Sequence, residues 1–135
     1  MSDSQAQLFE KAVKGGGGAR RLGRWGEALV ACDLERKGWT VLARNYCCRF
    51  GELDIVAQKD GVLAFVEVKL RRGSSFAPAR AFVTAEKQRK LRTAAELYLQ
   101  EHPGPLQPRF DVAEVYAPQG EQTVRPVVTY IESAF

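Results

Sequence analysis

Glu52, Asp54, Glu67 and Lys69 stand out because of where they fall. They lie in two short, strand-like runs, residues 52–58 and 62–69, separated by Asp60-Gly61. Asp-Gly between two such runs is a strong signal for a two-residue hairpin loop. With that loop, Lys59 faces Val62, Asp54 lies directly opposite Glu67, and Glu52 lies opposite Lys69. Side chains alternate along a strand, so all four project from one face of the sheet. Directly opposed Cβ atoms sit ~4.5–5.5 Å apart. Two carboxylates at that distance repel by about 3 kcal/mol at an effective dielectric of roughly 20. The runs around them, Ile55-Val56-Ala57 and Val62-Leu63-Ala64-Phe65-Val66, are apolar on both faces, as buried strands are. Buried carboxylates need a partner, and Mg²⁺ or Mn²⁺ suits a site of this kind, taking carboxylate, water and phosphate oxygens. Lys69 could then orient a water or stabilise charge developing on a phosphate. A second reading is a strand-end ion-pair cluster without metal, in which Lys69 pairs with Glu52 or Glu67. It accounts for Lys69 and leaves the Asp54–Glu67 opposition unexplained.

Other chemistries find few tools here. The three cysteines are Cys32, Cys47 and Cys48, an odd number without C-x-x-C spacing, so neither a disulfide framework nor a zinc site is expected. The single histidine, His102, sits beside Pro103-Gly104-Pro105, which disfavours histidine-based catalysis. The formal net charge is +4, but it is unevenly spread. Residues 19–24 carry +3, residues 69–92 carry +7 and residues 93–135 carry −4. Two basic clusters flanking a group of acids point to a polyanion partner. Arg21, Arg24, Arg71, Arg72 and Lys87 are the candidate phosphate contacts, which would position a nucleic acid without reading its sequence.

The elements that must position these residues follow from periodicity. At 135 residues the chain has room for one domain. Residues 1–18, ending in four glycines, read as a flexible arm ahead of a single domain over 19–135. Apolar residues Leu22, Trp25, Leu29 and Cys32 recur at helical spacing, predicting a helix over 22–37 that Gly38 stops. Trp25 and Trp39 are expected to pack in the core rather than stack on bases. A short strand over 39–43 precedes the hairpin, and residues 73–78 form a loop. Thr84 is a good N-cap for a second helix reaching about residue 100, with Leu91, Ala94, Ala95 and Tyr98 buried. Residues 102–108 read as a linker, followed by strands over 110–116 and 124–131. The order α-β-β-β-α-β-β predicts an α/β sandwich around a mixed sheet. The longest apolar stretch, Val62 to Val66, is far too short to span a membrane, and the N-terminus shows no signal pattern, so a soluble cytoplasmic protein is expected.

Gly51-Glu52-Leu53-Asp54-Ile55-Val56 followed by Phe65-Val66-Glu67-Val68-Lys69 resembles the active-site hairpin of the PD-(D/E)xK nuclease superfamily. More closely, the chain resembles the bacterial YraN-like family of predicted endonucleases, distantly similar to archaeal Holliday junction resolvases. The resemblance extends to Gly26-Glu27, Arg44-Asn45, Lys87-Gln88, Arg109-Phe110-Asp111-Val112 and the final Ala134-Phe135. It implies a restriction-endonuclease-like α/β/α sandwich and a Mg²⁺- or Mn²⁺-dependent endonuclease acting on branched or structured DNA. By the same resemblance, Asp54, Glu67 and Glu27 are metal ligands and Lys69 is the catalytic lysine. Glu52 is either a supporting partner of Lys69 or a further ligand, and Gln88 a supporting residue. Leu53 stands where the superfamily pattern has proline. Resolvase-like enzymes cut two symmetric strands, so the resemblance also suggests a homodimer. The alternative is a catalytically silent nuclease-fold module that binds DNA or a partner protein.

Overall fold

The computed structural model describes residues 18–73 and 83–135. The expected arm and most of the 73–78 loop lie outside the described residues, apart from Gly18 and Gly73. Gly18 already belongs to the first helix, which begins four residues earlier than the apolar periodicity predicts.

The described chain runs α1 (Gly18–Arg36), β1 (Thr40–Cys48), β2 (Gly51–Lys59), β3 (Val62–Arg71), α2 (Ala85–Glu101), β4 (Gln107–Tyr116), a 3₁₀ turn (Gly120–Gln122) and β5 (Val127–Ile131). The sheet order is β1-β2-β3-β4-β5, with β3 and β4 parallel and every other neighbour antiparallel. Parallel strands need a crossover, and α2 supplies it. Among the described residues, each face of the sheet carries one helix. Val30, Ala31 and Leu34 of α1 pack with Ile55, Ala57, Ala64, Val66, Ala113 and Val115. Leu91, Ala94, Ala95 and Tyr98 of α2 pack with Leu53, Val56, Phe65 and Val112 on the other face. The result is a three-layer α/β/α sandwich with a five-stranded mixed sheet, compatible with a restriction-endonuclease-like fold.

Local chemistry explains the elements that matter most. Asp60 and Gly61 take φ values of 49° and 80°, the paired positive dihedrals that a two-residue hairpin turn requires. Lys59 therefore faces Val62, and the expected register holds as far as Ile55 opposite Val66. Thr84 caps α2, its side chain accepting from the Lys87 N–H at 3.2 Å. Gly26 lets α1 approach β3 closely: a Cβ there would lie 3.2 Å from Leu70 Cδ1.

Several boundaries differ from expectation. β1 extends to Cys48 and carries a bulge at Leu42, between the pairs Val41–Ala57 and Ala43–Val56. β4 starts at Gln107, inside the expected linker, and includes Pro108. That proline is tolerated because, among the described residues, β5 pairs only with Val112–Tyr116 and leaves the start of β4 as an edge. β5 begins at Val127 rather than 124, immediately after Pro126, which has no N–H for a ladder. Among the described residues, no helix is long and apolar enough to cross a membrane.

Candidate metal centre

The site forms where β2 and β3 separate. Their ladder ends at Ile55–Val66, one step before Asp54 would pair with Glu67. The backbone N–H of Val68 instead donates to Asp54 Oδ2 at 2.9 Å. Beyond this point β2 pairs only with β1, and β3 only with β4. Glu52 consequently lies opposite Cys47, and Lys69 beside Glu114, so the expected Glu52–Lys69 opposition does not form.

Asn45 causes the second departure. It has a φ of 51° in the middle of β1, and the β1–β2 ladder keeps one register on both sides of it, Arg44–Ile55 and Tyr46–Leu53, without an Asn45–Asp54 pair between them. A non-glycine residue in this left-handed region is uncommon, and asparagine tolerates it better than most. The facing of β2 reverses there. Ile55 packs with the α1 core, whereas Leu53, two residues away, packs with the α2 core. The four charged residues therefore do not share one face. Val68 and Leu70 pack towards α1, which sends Glu67 and Lys69 towards α2.

The reversal gathers three carboxylates from two elements. Glu27 on α1 and Glu52 and Asp54 on β2 each offer an oxygen, all within 4.8 Å of one another. They lie close enough to hold a metal ion. The Asn45 amide donates to Glu27 Oε2 at 2.5 Å and to Glu52 Oε1 at 2.8 Å, and Arg24 Nη1 donates to Asn45 Oδ1 at 3.2 Å. Asn45 is thus the central orienting residue of the cluster. Its signal in the sequence is a polar, turn-favouring residue just after the strand expected over 39–43, ahead of the hairpin.

The electrostatics of the cluster favour an added cation. Burial pushes the Asp54 carboxyl up to about 8; the negative charge of Glu67 adds to this, and the Val68 hydrogen bond opposes it. Burial also raises Glu27, the Asn45 hydrogen bond draws it partly back, and Glu52 pushes it up further. Glu67 stands on the other side of Asp54. Its Oε1 pairs with Lys87 Nζ at 2.5 Å, while its Oε2 is buried with no hydrogen-bond partner among the described residues. An all-carboxylate donor set with an unsatisfied buried oxygen beside it fits a hard divalent cation such as Mg²⁺ or Mn²⁺.

The remaining candidates take other positions. Gln88, expected beside the acids, donates to the Val83 carbonyl at 3.0 Å and braces the entry to α2. Of the candidate phosphate contacts, Arg21 pairs with Glu121 at 3.2 Å, and half-buried Arg71 with Glu114 at 3.4 Å. These two arginines tie α1 and β3 to the acidic C-terminal segment, because that segment packs directly against them. Arg24 belongs to the Asn45 network, and Lys87 to Glu67. Arg72 is exposed, its guanidinium close to Gly120.

Fold and site together define an α/β/α sandwich with an acidic, metal-compatible centre at the point where two central strands diverge. The chain belongs to the uncharacterised protein family UPF0102, whose family model matches residues 26–115. That span includes Glu27, Asn45, Glu52, Asp54, Glu67 and Lys69. A UPF0102 protein of Nocardia farcinica is 42% identical over 120 residues, covering 88% of this chain and 92% of its own length. One from Syntrophomonas wolfei is 40% identical over 110 residues, covering 81% and 96%. One from Syntrophotalea carbinolica is 50% identical over 95 residues, covering 70% and 77%.

Proposed function

We propose that the protein is a metal-dependent endonuclease of the PD-(D/E)xK type, hydrolysing phosphodiester bonds in branched or otherwise structured DNA. The observation that carries this reading is the convergence of Glu27, Glu52 and Asp54 at the opening between β2 and β3, with Glu67 against Asp54. Glu27, Asp54 and Glu67, with Glu52 now beside them, would hold Mg²⁺ or Mn²⁺. When bound, such a cation polarises a phosphoryl oxygen and lowers the pKa of a coordinated water.

The chain's own residues do the positioning. Val68 N–H fixes Asp54, and Asn45 fixes Glu27 and Glu52, so little of the donor set must be reorganised when a cation arrives. Lys69, two residues beyond Glu67 and on the same side of β3, brings an ammonium to neutralise charge on the phosphate. Exposed Arg72 extends the positive surface beyond the end of β3 and meets the polyanion backbone without reading its bases.

A cleavage panel tests this reading. Single-stranded, duplex, flap and four-way-junction DNA are incubated beside structured RNA, with Mg²⁺ or Mn²⁺ and with EDTA. Metal-dependent cleavage that favours junction or flap DNA, and that Lys69→Ala removes, is the expected result. A uniformly negative panel together with equal DNA binding in EDTA overturns the enzyme and leaves the binding module. Cleavage that survives both Glu67→Ala and Lys69→Ala, with contaminating nuclease excluded, overturns the assignment of the site.

A further inference from the structure

The ion pair between Lys87 and Glu67 sits where it is costly for the helix that carries it. Lys87 is in the first turn of α2, its backbone N–H taken by the Thr84 cap. The N-terminus of a helix bears partial positive charge, and a lysine there is disfavoured, where an acid would be favoured. What holds Lys87 is Glu67: Nζ lies 2.5 Å from Oε1, on a carboxylate only 9% exposed. The other oxygen of Glu67 is buried with no hydrogen-bond partner among the described residues, so the lysine satisfies half of a group that can accept more. The lysine side chain itself is 47% exposed, free at its outer side to swing into solvent. Asp54, in strong electrostatic contact with Glu67, joins this pair to Glu27 and Glu52.

We infer that Lys87 is an exchangeable counter-ion: its ammonium neutralises Glu67 while no cation is bound, and is released to a backbone phosphate of the nucleic acid when a divalent cation takes the carboxylate. The inference rests on the proposed metal centre and adds a coupling to it. Cation loading creates a phosphate contact, so cation and polyanion each strengthen the binding of the other, by the same factor in both directions. A nucleic acid meeting the cation-free protein would lack that contact.

The test measures binding, not turnover. Mn²⁺ is titrated calorimetrically into the full chain and into Lys87→Met, with Lys90→Met as the control for simple loss of charge. Lys90 lies on the same helix, exposed and paired with Glu86. Lys87→Met should bind Mn²⁺ roughly tenfold more tightly, within the usual range of coupling between sites, and Lys90→Met less than about twofold. Duplex affinity is then measured with and without Mn²⁺ in a Lys69→Ala background, which prevents cleavage. Mn²⁺ should improve it at least roughly fivefold with Lys87 present and by less than about twofold with Lys87→Met. Because Lys87→Met leaves Glu67 without its ion-pair partner, a second measurement uses the unaltered chain. The Lys87 side-chain ¹⁵N resonance is followed through a Mg²⁺ titration and should shift with the midpoint of cation binding. Mn²⁺ affinity equal in wild type and Lys87→Met, or a Lys87 resonance that stays put while Mg²⁺ saturates, overturns the counter-ion and leaves the metal centre standing. If Mn²⁺ binds neither wild type nor Lys87→Met, the metal centre itself falls and the counter-ion with it.

Discussion

Carboxylates gather in two regions beside α1, and the two regions treat them oppositely. At the C-terminal end of α1, Asp33 is buried and accepts from Tyr130 at 2.6 Å, Arg36 at 2.7 Å and Lys37 at 3.0 Å. Nearby, Asp111 receives a two-pronged pair from Arg109 at 2.9 Å and the Ser133 N–H at 3.0 Å. At the middle of α1, Glu27 crowds Glu52 and Asp54; Asn45 donates to Glu27 and Glu52, and the Val68 N–H to Asp54. Burial alone would raise Asp33, but hydrogen bonds from Tyr130 and Lys37 outweigh it and hold Asp33 below its ordinary range. Asp54 moves the other way, to about 8. Asp33 and Asp111 have ion-pair partners supplied by the chain; Glu27, Glu52 and Asp54 have none among the described ion pairs, and Lys87 serves Glu67. That shortage is the electrostatic basis of the proposed metal centre.

The widest gap between the two regions should appear in activity. Asp54→Asn should lower metal-dependent cleavage by about 10²–10³-fold, the scale of losing one preorganised charged group, while Asp33→Asn leaves cleavage near wild type. Steady-state rates on junction DNA at saturating Mn²⁺ measure both.

Stability should invert that order. Arg109→Ala leaves Asp111 buried without its partner and should cost about 3 kcal/mol in denaturant unfolding. The pH dependence of the two regions separates them further. A carboxyl raised in the fold keeps its proton where the unfolded chain has lost it, so stability falls as pH climbs from 3.8 to about 8. Asp54→Asn should therefore raise the melting temperature of the metal-free protein at pH 8 and have almost no effect at pH 4. Asp33 is depressed, so its contribution is present above the ordinary carboxylate range and disappears as pH drops through its lower folded value. Asp33→Asn should cost about 2 kcal/mol at pH 7 and flatten the acid limb of the unfolding profile.

The smallest effect sharpens the comparison through geometry. Gly26→Ala adds a methyl 3.2 Å from Leu70 Cδ1 and should shift α1 outward by a few tenths of an ångström. Mn²⁺ affinity should fall several-fold, because Glu27 rides on α1, while Asp33 two turns further on keeps its partners.

Where the sequence could be read and where it could not follows the same geography. The Asp60-Gly61 turn fixes its own register, because two positive-φ positions admit only one hairpin, and that register reached Ile55–Val66 as expected. The buried face of α2, Leu91, Ala94, Ala95 and Tyr98, was likewise legible from helical spacing. Periodicity fails at Asp54, because it assumes that alternation continues. Asn45 breaks it through a backbone dihedral that hydrophobic patterning does not encode. Asp54 and Glu67 were legible from hairpin spacing and Glu27 through resemblance, yet their division between the Asn45 network and Lys87 depends on contacts between distant segments. Arg21 and Arg71 read as free positive charge because their acids, Glu121 and Glu114, lie 100 and 43 residues away in the chain.

The interruptions of β1 have a consequence for the molecule as a solute. Among the described residues, β1 closes one side of the sheet and pairs only with β2, so its outer backbone edge has no strand partner there. Such an edge invites another chain to add a strand, the first step towards aggregation. The bulge at Leu42 and the left-handed Asn45 divide this edge into stretches of two or three regular residues. An incoming strand would lose its hydrogen-bond repeat at each break, so the conformation that orients the acids also spoils the template for polymerisation. Restoring a regular strand, with Leu42 deleted and Asn45→Val, should yield a chain that loses its metal centre and precipitates on concentration.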